Sequence, residues 1–106
     1  MKKLKLKTKY GFIEYSYIEL LNIVVFRGSY IEYEYRNNGH FKEMVKELFK
    51  QFPIGTKVQV AIANELIVDF FKRLDFYPID KVIYWGAPEN CVLLEGVITE
   101  STFDKI

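Results

Sequence analysis

From Arg36 to Phe41 the chain reads Arg-Asn-Asn-Gly-His-Phe, the stretch with the most chemistry within reach. A run of strand-forming residues, Tyr30 to Arg36, leads into it, and a helix with a clean apolar stripe follows. A strand, a short polar loop and a helix N-terminus together offer unbonded backbone N–H groups at the positive end of a helix dipole, which suits a phosphate. The competing reading is a plain polar turn that starts a helix, with Asn38 as its N-cap. Other reactive groups are scarce. A single Cys, Cys91, excludes a disulfide framework and a multi-cysteine metal site. A single His, His40, removes the common zinc triads, so no metal is expected. Cys91 heads an apolar strand with no base beside it and reads as a core thiol. His40 falls in the first turn of a helix, where the dipole disfavours its cation, and reads as a helix-start residue rather than a base.

The elements that must position this loop follow from periodicity. Residues 1–35 read as a meander of about four strands: the alternating "KLKLK", whose lysines suit a sheet edge, then Phe12 to Glu19, Leu21 to Phe26 and Tyr30 to Arg36. "RGS" is the expected turn before the last of these, which places Ile31, Tyr33 and Tyr35 on one face and Glu32 and Glu34 on the other. Residues 36–80 read as helix, strand, helix. The first helix carries Phe41, Met44, Val45, Leu48, Phe49 and Phe52 at i, i+3, i+4, i+7, i+8 and i+11, and ends at Pro53 and Gly55. The strand "KVQVAIA" follows. Asn64 caps the second helix, whose stripe is Leu66, Ile67, Phe70, Phe71 and Leu74, with Asp75 in the left-handed position after it. "VIYWG" and "CVLLEGVI" read as a closing hairpin over residues 81–98, and the tail, 99–106, is expected to fray. The strand–helix–strand crossover implies one parallel pair. The expected fold class is α/β (α+β in some schemes): a mixed, mostly antiparallel sheet of six to seven strands with two helices.

Composition narrows the partners. A net charge of +1 gives no general attraction to nucleic acid or acidic lipid. The basic start "MKKLKLKTKYG" is followed by no apolar h-region, and the longest apolar run, "IVVF", cannot span a membrane. A cytoplasmic protein is expected. Tyr15, Tyr17, Tyr30, Tyr33 and Tyr35 could stack bases of a single strand, but the neighbouring glutamates repel phosphate. Core packing, or a protein partner or second copy docked on the Tyr-rich strands, is the better reading.

Two segments together resemble the GNAT superfamily of acetyltransferases. Arg36-Asn37-Asn38-Gly39-His40-Phe41 resembles its pyrophosphate loop, Gln/Arg-x-x-Gly-x-Gly/Ala, and "NELIVDFFKRLDF", Asn64 to Phe76, resembles its signature of an Asn after a strand, a helix with an aromatic pair, then Leu-Gly-Phe. The resemblance covers about residues 20–100 and not the family's opening strand and two helices. It implies an acyl-CoA-dependent N-acetyltransferase acting on an amine acceptor, with acetyl-CoA as cofactor. Arg36, Asn37, Asn38, Gly39, His40 and Phe41 would hold the pyrophosphate, Asn64 the pantetheine arm, and Glu32 or Glu34 would be the base. Three departures bear on this. Phe41 replaces a small loop residue, Phe71 stands where the family often has a proton-donating Tyr, and Asp75 replaces a Gly. Tyr77 and Tyr84 are the nearby substitutes for the missing proton donor. The alternative reading is a catalytically inactive GNAT-like domain that binds a protein partner, or CoA alone. An open cleft between the strand carrying Tyr33 and the strand carrying Val60, and a Phe41 ring turned into the core, would favour the enzyme.

Overall fold

Alternation sets the first strands. In β1 (Leu4–Thr8) the leucines at 4 and 6 pack on the core while Lys5 and Lys7 stand exposed. The computed structural model describes residues 2–81 and 90–106. β1 pairs antiparallel with β2 (Gly11–Ile18), and β2 pairs antiparallel with β3 (Ile23–Ile31). The apolar run Ile23 to Phe26 is buried throughout, as a central strand requires. β3 then pairs in parallel with β4 (Lys57–Ile62) across α1 (His40–Phe49). After α2 (Glu65–Arg73) and the short β5 (Tyr77–Pro78), β6 (Val92–Val97) inserts between β4 and β5. The sheet is therefore six-stranded in the order β1-β2-β3-β4-β6-β5, mixed and mostly antiparallel.

The meander differs from the expected one. "RGS" is not a turn: β3 runs straight through it, because β2 is eight residues long and its whole length finds a ladder partner there. Glu14 faces Gly28 and Tyr15 faces Phe26, so Arg27 is the extra residue of a β-bulge. The expected strand over Tyr30 to Arg36 does not form. β3 ends at Ile31, and Tyr33–Tyr35 is a single 3-10 turn closed by Tyr35 N–H to Glu32 O (2.9 Å). Tyr33 is 83% exposed instead of facing inward with Ile31. The five tyrosines expected on one surface are divided. Tyr15 is buried against Phe52, Tyr17 donates to Asn22 Oδ1, and Tyr35 packs edge-on to Tyr10 and His40.

Both long helices lie on one face of the sheet. Met44, Val45, Leu48 and Phe49 of α1 and Val68, Phe70 and Phe71 of α2 join Ile13, Val24, Phe26, Val58, Val60 and Leu94 in one core. Leu66, expected in the α2 stripe, is 79% exposed, and Val68 takes the inward position. Asp75 adopts the left-handed conformation (φ 67°). Phe76 then lies flat on β6 at Gly96, where a Cβ would sit 2.2 Å from its ring.

The tail does not fray. A third helix, α3 (Glu100–Lys105), starts at Thr99, whose hydroxyl accepts from Thr102 N–H while Thr99 N–H donates to Thr102 Oγ1, a capping box. Ile98 is fully buried, Phe103 and Ile106 pack on the core, and Lys105 pairs with Asp75. Of the expected hairpin, "CVLLEGVI" gives β6, and "VIYWG" lies outside the described residues.

Candidate functional site

The site begins where the parallel ladder stops. β3 and β4 pair from Ile23 opposite Lys57 to Phe26 opposite Val60, and no further. Beyond that point β3 continues to Ile31 against β2 alone, and β4 continues to Ile62 against β6 alone. The bulge at Arg27 comes directly after the last shared pair and turns β3 aside. The expected opening is present beyond Val60, which is itself still paired, and it is formed by β3 rather than by a strand carrying Tyr33. A cleft of about 490 Å³, within the usual size of small-ligand sites, lies beside it, lined by Ser29 to Ile31 at the end of β3 and by Asn64 just past β4.

One wall of the cleft is the loop before α1. Arg36, Asn37, Gly39, His40 and Phe41 line it, and Asn38, grouped with them from the sequence, does not. Asn37 (φ 65°) and Gly39 (φ 78°) both take left-handed backbone, which Gly adopts freely and Asn better than most. Gly39, not Asn38, is the N-cap of α1, and no side chain caps this helix. Asn38 Nδ2 instead donates to Arg36 O (3.1 Å), which ties the loop together. The N–H groups of His40, Phe41 and Lys42 therefore have no intrahelical or side-chain partner among the described residues, and all three residues line the cleft.

Phe41 does not stand in the loop. Its ring joins an aromatic floor, 5.2 Å from Phe70 and 6.3 Å from both Phe26 and Phe71. His40 stacks on Tyr10 (3.5 Å, 10°), and its Nδ1 lies 3.1 Å from Glu43 Oε2. Arg36 is held by its Nε–H bond to Ile31 O (2.8 Å) and lies over the Tyr30 and Tyr33 rings.

The facing wall is α2. Asn64 Oδ1 accepts from Leu66 N–H (2.9 Å) and Ile67 N–H (3.3 Å), so it is the cap the sequence predicted. The two donors fix which amide atom is oxygen and leave Nδ2 for the cleft that Asn64 lines. Leu66, Ile67, Phe70 and Arg73 continue this wall at helical spacing.

The proposed acids and bases are dispersed. Glu32 and Glu34 are exposed, one and three residues past the end of β3, and neither lines the cleft. The expectation that they share a strand face fails, because no strand exists there. Phe71 is fully buried. Tyr77 donates to Glu95 Oε2 (2.5 Å) and lies away from the cleft, and Tyr84 is outside the described residues. Sequence reasoning missed Ser29, Tyr30, Lys42 and Arg73, which line the cleft. For Arg73 a signal existed: residues 66, 70 and 73 share one helix face with the cap at Asn64.

No family model and no curated protein sequence matches the chain. Solved structures do. The PaiA N-acetyltransferase of Thermoplasma acidophilum, in complex with coenzyme A, is 18% identical with a TM-score of 0.63, over 83% of this chain and 53% of that one. Nourseothricin acetyltransferase is 13% identical with a TM-score of 0.59, over 83% and 57%. NAA60 of Arabidopsis thaliana, in complex with a bisubstrate analogue, is 16% identical with a TM-score of 0.57, over 84% and 64%. The fold is GNAT-like, the fold of N-acetyltransferases. The chain spans 53–64% of the length of these structures.

Proposed function

We propose that the protein binds an acyl-CoA in this cleft and transfers the acyl group to an amine. The observation that carries the reading is the coincidence of two features. The sheet opens between β3 and β4, and the uncapped start of α1 faces that same opening. Coenzyme A in one neighbour and bisubstrate analogues in others lend support. The residues present fit such a ligand. The N–H groups from Asn37 to Phe41 hold the pyrophosphate, and Asn64 Nδ2 donates to the pantetheine arm. Bound acetyl-CoA supplies an acyl thioester. The chain's own contribution is to position it and polarise its carbonyl. No carboxylate lines the cleft, and Glu32 and Glu34 lie outside it, so the proton of the amine passes to solvent water.

A second reading is CoA binding without transfer. The buried Phe71 ring favours it, since a phenyl group donates no proton. Calorimetric titration of acetyl-CoA and CoA tests the first step. Proline fixes φ near −65° and cannot adopt the conformation of Gly39, so binding by the wild type that is lost in Gly39→Pro supports the loop as the phosphate site. No heat at millimolar ligand with a folded protein refutes both readings. Turnover with amine acceptors then separates them.

A further inference from the structure

Positive charge gathers on one edge of the sheet, outside the cleft. Five of the chain's 15 cations and none of its 14 acids fall in the first 13 residues, which leaves ten cations against 14 acids in the rest. Lysines stand at 3, 5, 7 and 9, every second residue, and all four are exposed. β1, which carries Lys5 and Lys7, is an end strand of the sheet, and none of its residues lines the cleft.

β1 is paired on one side only. β2 takes its inner edge from Leu4 opposite Tyr15 to Thr8 opposite Gly11, and no strand takes its outer edge among the described residues. An outer edge presents a row of N–H and C=O groups, and an extended polypeptide is the partner that meets both. Side chains form two stripes beside that edge. Leu4 and Leu6 are half-buried and pack on the core, on the helix side. Lys5 and Lys7 stand on the opposite side, about 7 Å apart at the strand rise. Phe12 lies opposite Lys7 in register, and the Lys5 ammonium sits 4.3 Å from the centre of the Phe12 ring. Tyr30, opposite Phe12 on β3, stacks on that ring (5.7 Å, 29°). Lys5 is thus seated on an aromatic pair. Neither lysine has an ion pair among the described residues, although Glu14 lies across from Lys5 on β2.

The same lysines exclude a second copy. In either direction, a register that keeps the leucines of two β1 strands on the core side sets lysine against lysine, and like charges directly opposite destabilise the pair. An acidic strand meets no such penalty. We infer that β1 is a docking edge for an extended acidic segment of another protein, with acidic residues at alternate positions beside Lys5 and Lys7 and apolar residues between them beside Leu4 and Leu6. Main-chain bonds hold the segment, and the lysines select its charge.

The test adds a blocked peptide of alternating glutamate and valine to the isotope-labelled chain and follows the backbone amides. Binding with shifts concentrated on residues 4–8 is the expected result, and no shift there overturns the inference. Two further peptides carry N-methyl groups, one on every glutamate and one on every valine. Only one set of N–H groups can face β1, so one of these peptides should lose binding and the other keep it. Equal behaviour of the two overturns strand addition. The double variant Lys5→Glu/Lys7→Glu should bind the glutamate peptide about tenfold more weakly and gain affinity for an alternating lysine–valine peptide. An unchanged preference in the folded variant overturns the role of the lysines. An oligothymidylate of the same charge that binds the wild type as tightly as the glutamate peptide also overturns the inference, because the lysines then take phosphate. The peptide and oligonucleotide arms use the unaltered chain and stand if the variant fails to fold.

Discussion

Asn64 holds two roles on two atoms, and substitution separates them. Its Oδ1 accepts from Leu66 N–H and Ile67 N–H, and its Nδ2 is left for the cleft. Asn64→Ala removes both acceptor bonds. The helix start is exposed, so water takes over part of the loss, and the expected cost is about 1 kcal/mol. For a domain of this size that is roughly 4–8 °C in Tm. Asn64→Asp keeps the acceptor and adds a negative charge at a helix N-terminus, worth about 0.3–1 kcal/mol in its favour. Stability should therefore hold or rise. Ligand binding should do the opposite. Asp lacks the Nδ2 donor and brings a carboxylate into a cleft that otherwise lines itself with cations. A lost neutral hydrogen bond is about 0.5–1.5 kcal/mol. The added repulsion should take the loss of CoA affinity beyond about tenfold. Urea unfolding and calorimetric titration on the same three proteins measure both effects. If Asn64→Asp unfolds as readily as Asn64→Ala, the cap assignment is wrong. If Asn64→Asp binds CoA like the wild type, Nδ2 does not face the ligand.

Other consequences follow from single contacts. A Cβ at Gly96 would lie 2.2 Å from the Phe76 ring, so Gly96→Ala should cost about 1–3 kcal/mol of overpacking by urea unfolding. A Phe76→Leu background should relieve part of that cost, and additive losses would refute the contact. Thr99→Ala removes the capping box of α3 and should cost about 1 kcal/mol, with faster amide exchange over residues 100–105; no change would mean that the tail adds nothing to the fold. Partial burial pushes the Glu95 carboxyl up, but hydrogen bonds from Gln59 and Tyr77 and the charge of Lys57 outweigh it, so its pKa lies below the ordinary value. A carboxyl lowered in the folded state stabilises above its unfolded pKa, and that stability is lost as pH falls through the folded one. Tyr77 is raised, first by its hydrogen bond to Glu95, then by desolvation and the carboxylate's charge. Its contribution is present below the ordinary tyrosine range and lost as pH rises through the raised value. Glu95→Gln should flatten the stability–pH curve at both ends, and an unchanged acid arm would refute the assignment.

What the sequence revealed was local in origin. Asn64 as a cap and Asp75 in left-handed backbone each depend on a few neighbouring residues, and both are present. The stripe of α1 was legible because its inward residues recur at helical spacing, and Met44, Val45, Leu48 and Phe49 are buried. Asn38 failed as a cap for the same local reason read wrongly: Gly39 takes the capping conformation, and Asn38 turns back to Arg36 O. The errors elsewhere were long-range. "RGS" has turn composition, but the ladder from β2 claims it. The alternation of Ile31, Tyr33 and Tyr35 has a strand's period without a strand's partner, so it winds into a 3-10 turn.

The same distinction explains the cleft. Nothing in residues 23–31 or 57–62 alone says that their pairing stops at Phe26 and Val60. That stop requires a bulge at Arg27 measured against β2 and a β4 held on its other side by β6. The phosphate-type loop was legible as a pattern, but whether it opens onto anything was not. Phe41 shows the point most directly. The sequence left two orientations open for its ring, into the core with the helical stripe or into the loop, where a small residue is expected. In the fold its ring packs with Phe26, Phe70 and Phe71, and of that cluster Phe41 and Phe70 line the cleft. The substitution that most weakened the phosphate reading thus becomes part of the surface on which that reading rests. Exchanging Phe41 for Ala should on this account loosen the floor and cost about 3–5 kcal/mol at most for a fully buried ring, less for one that is half-buried. It should not free a blocked loop and tighten the binding of CoA.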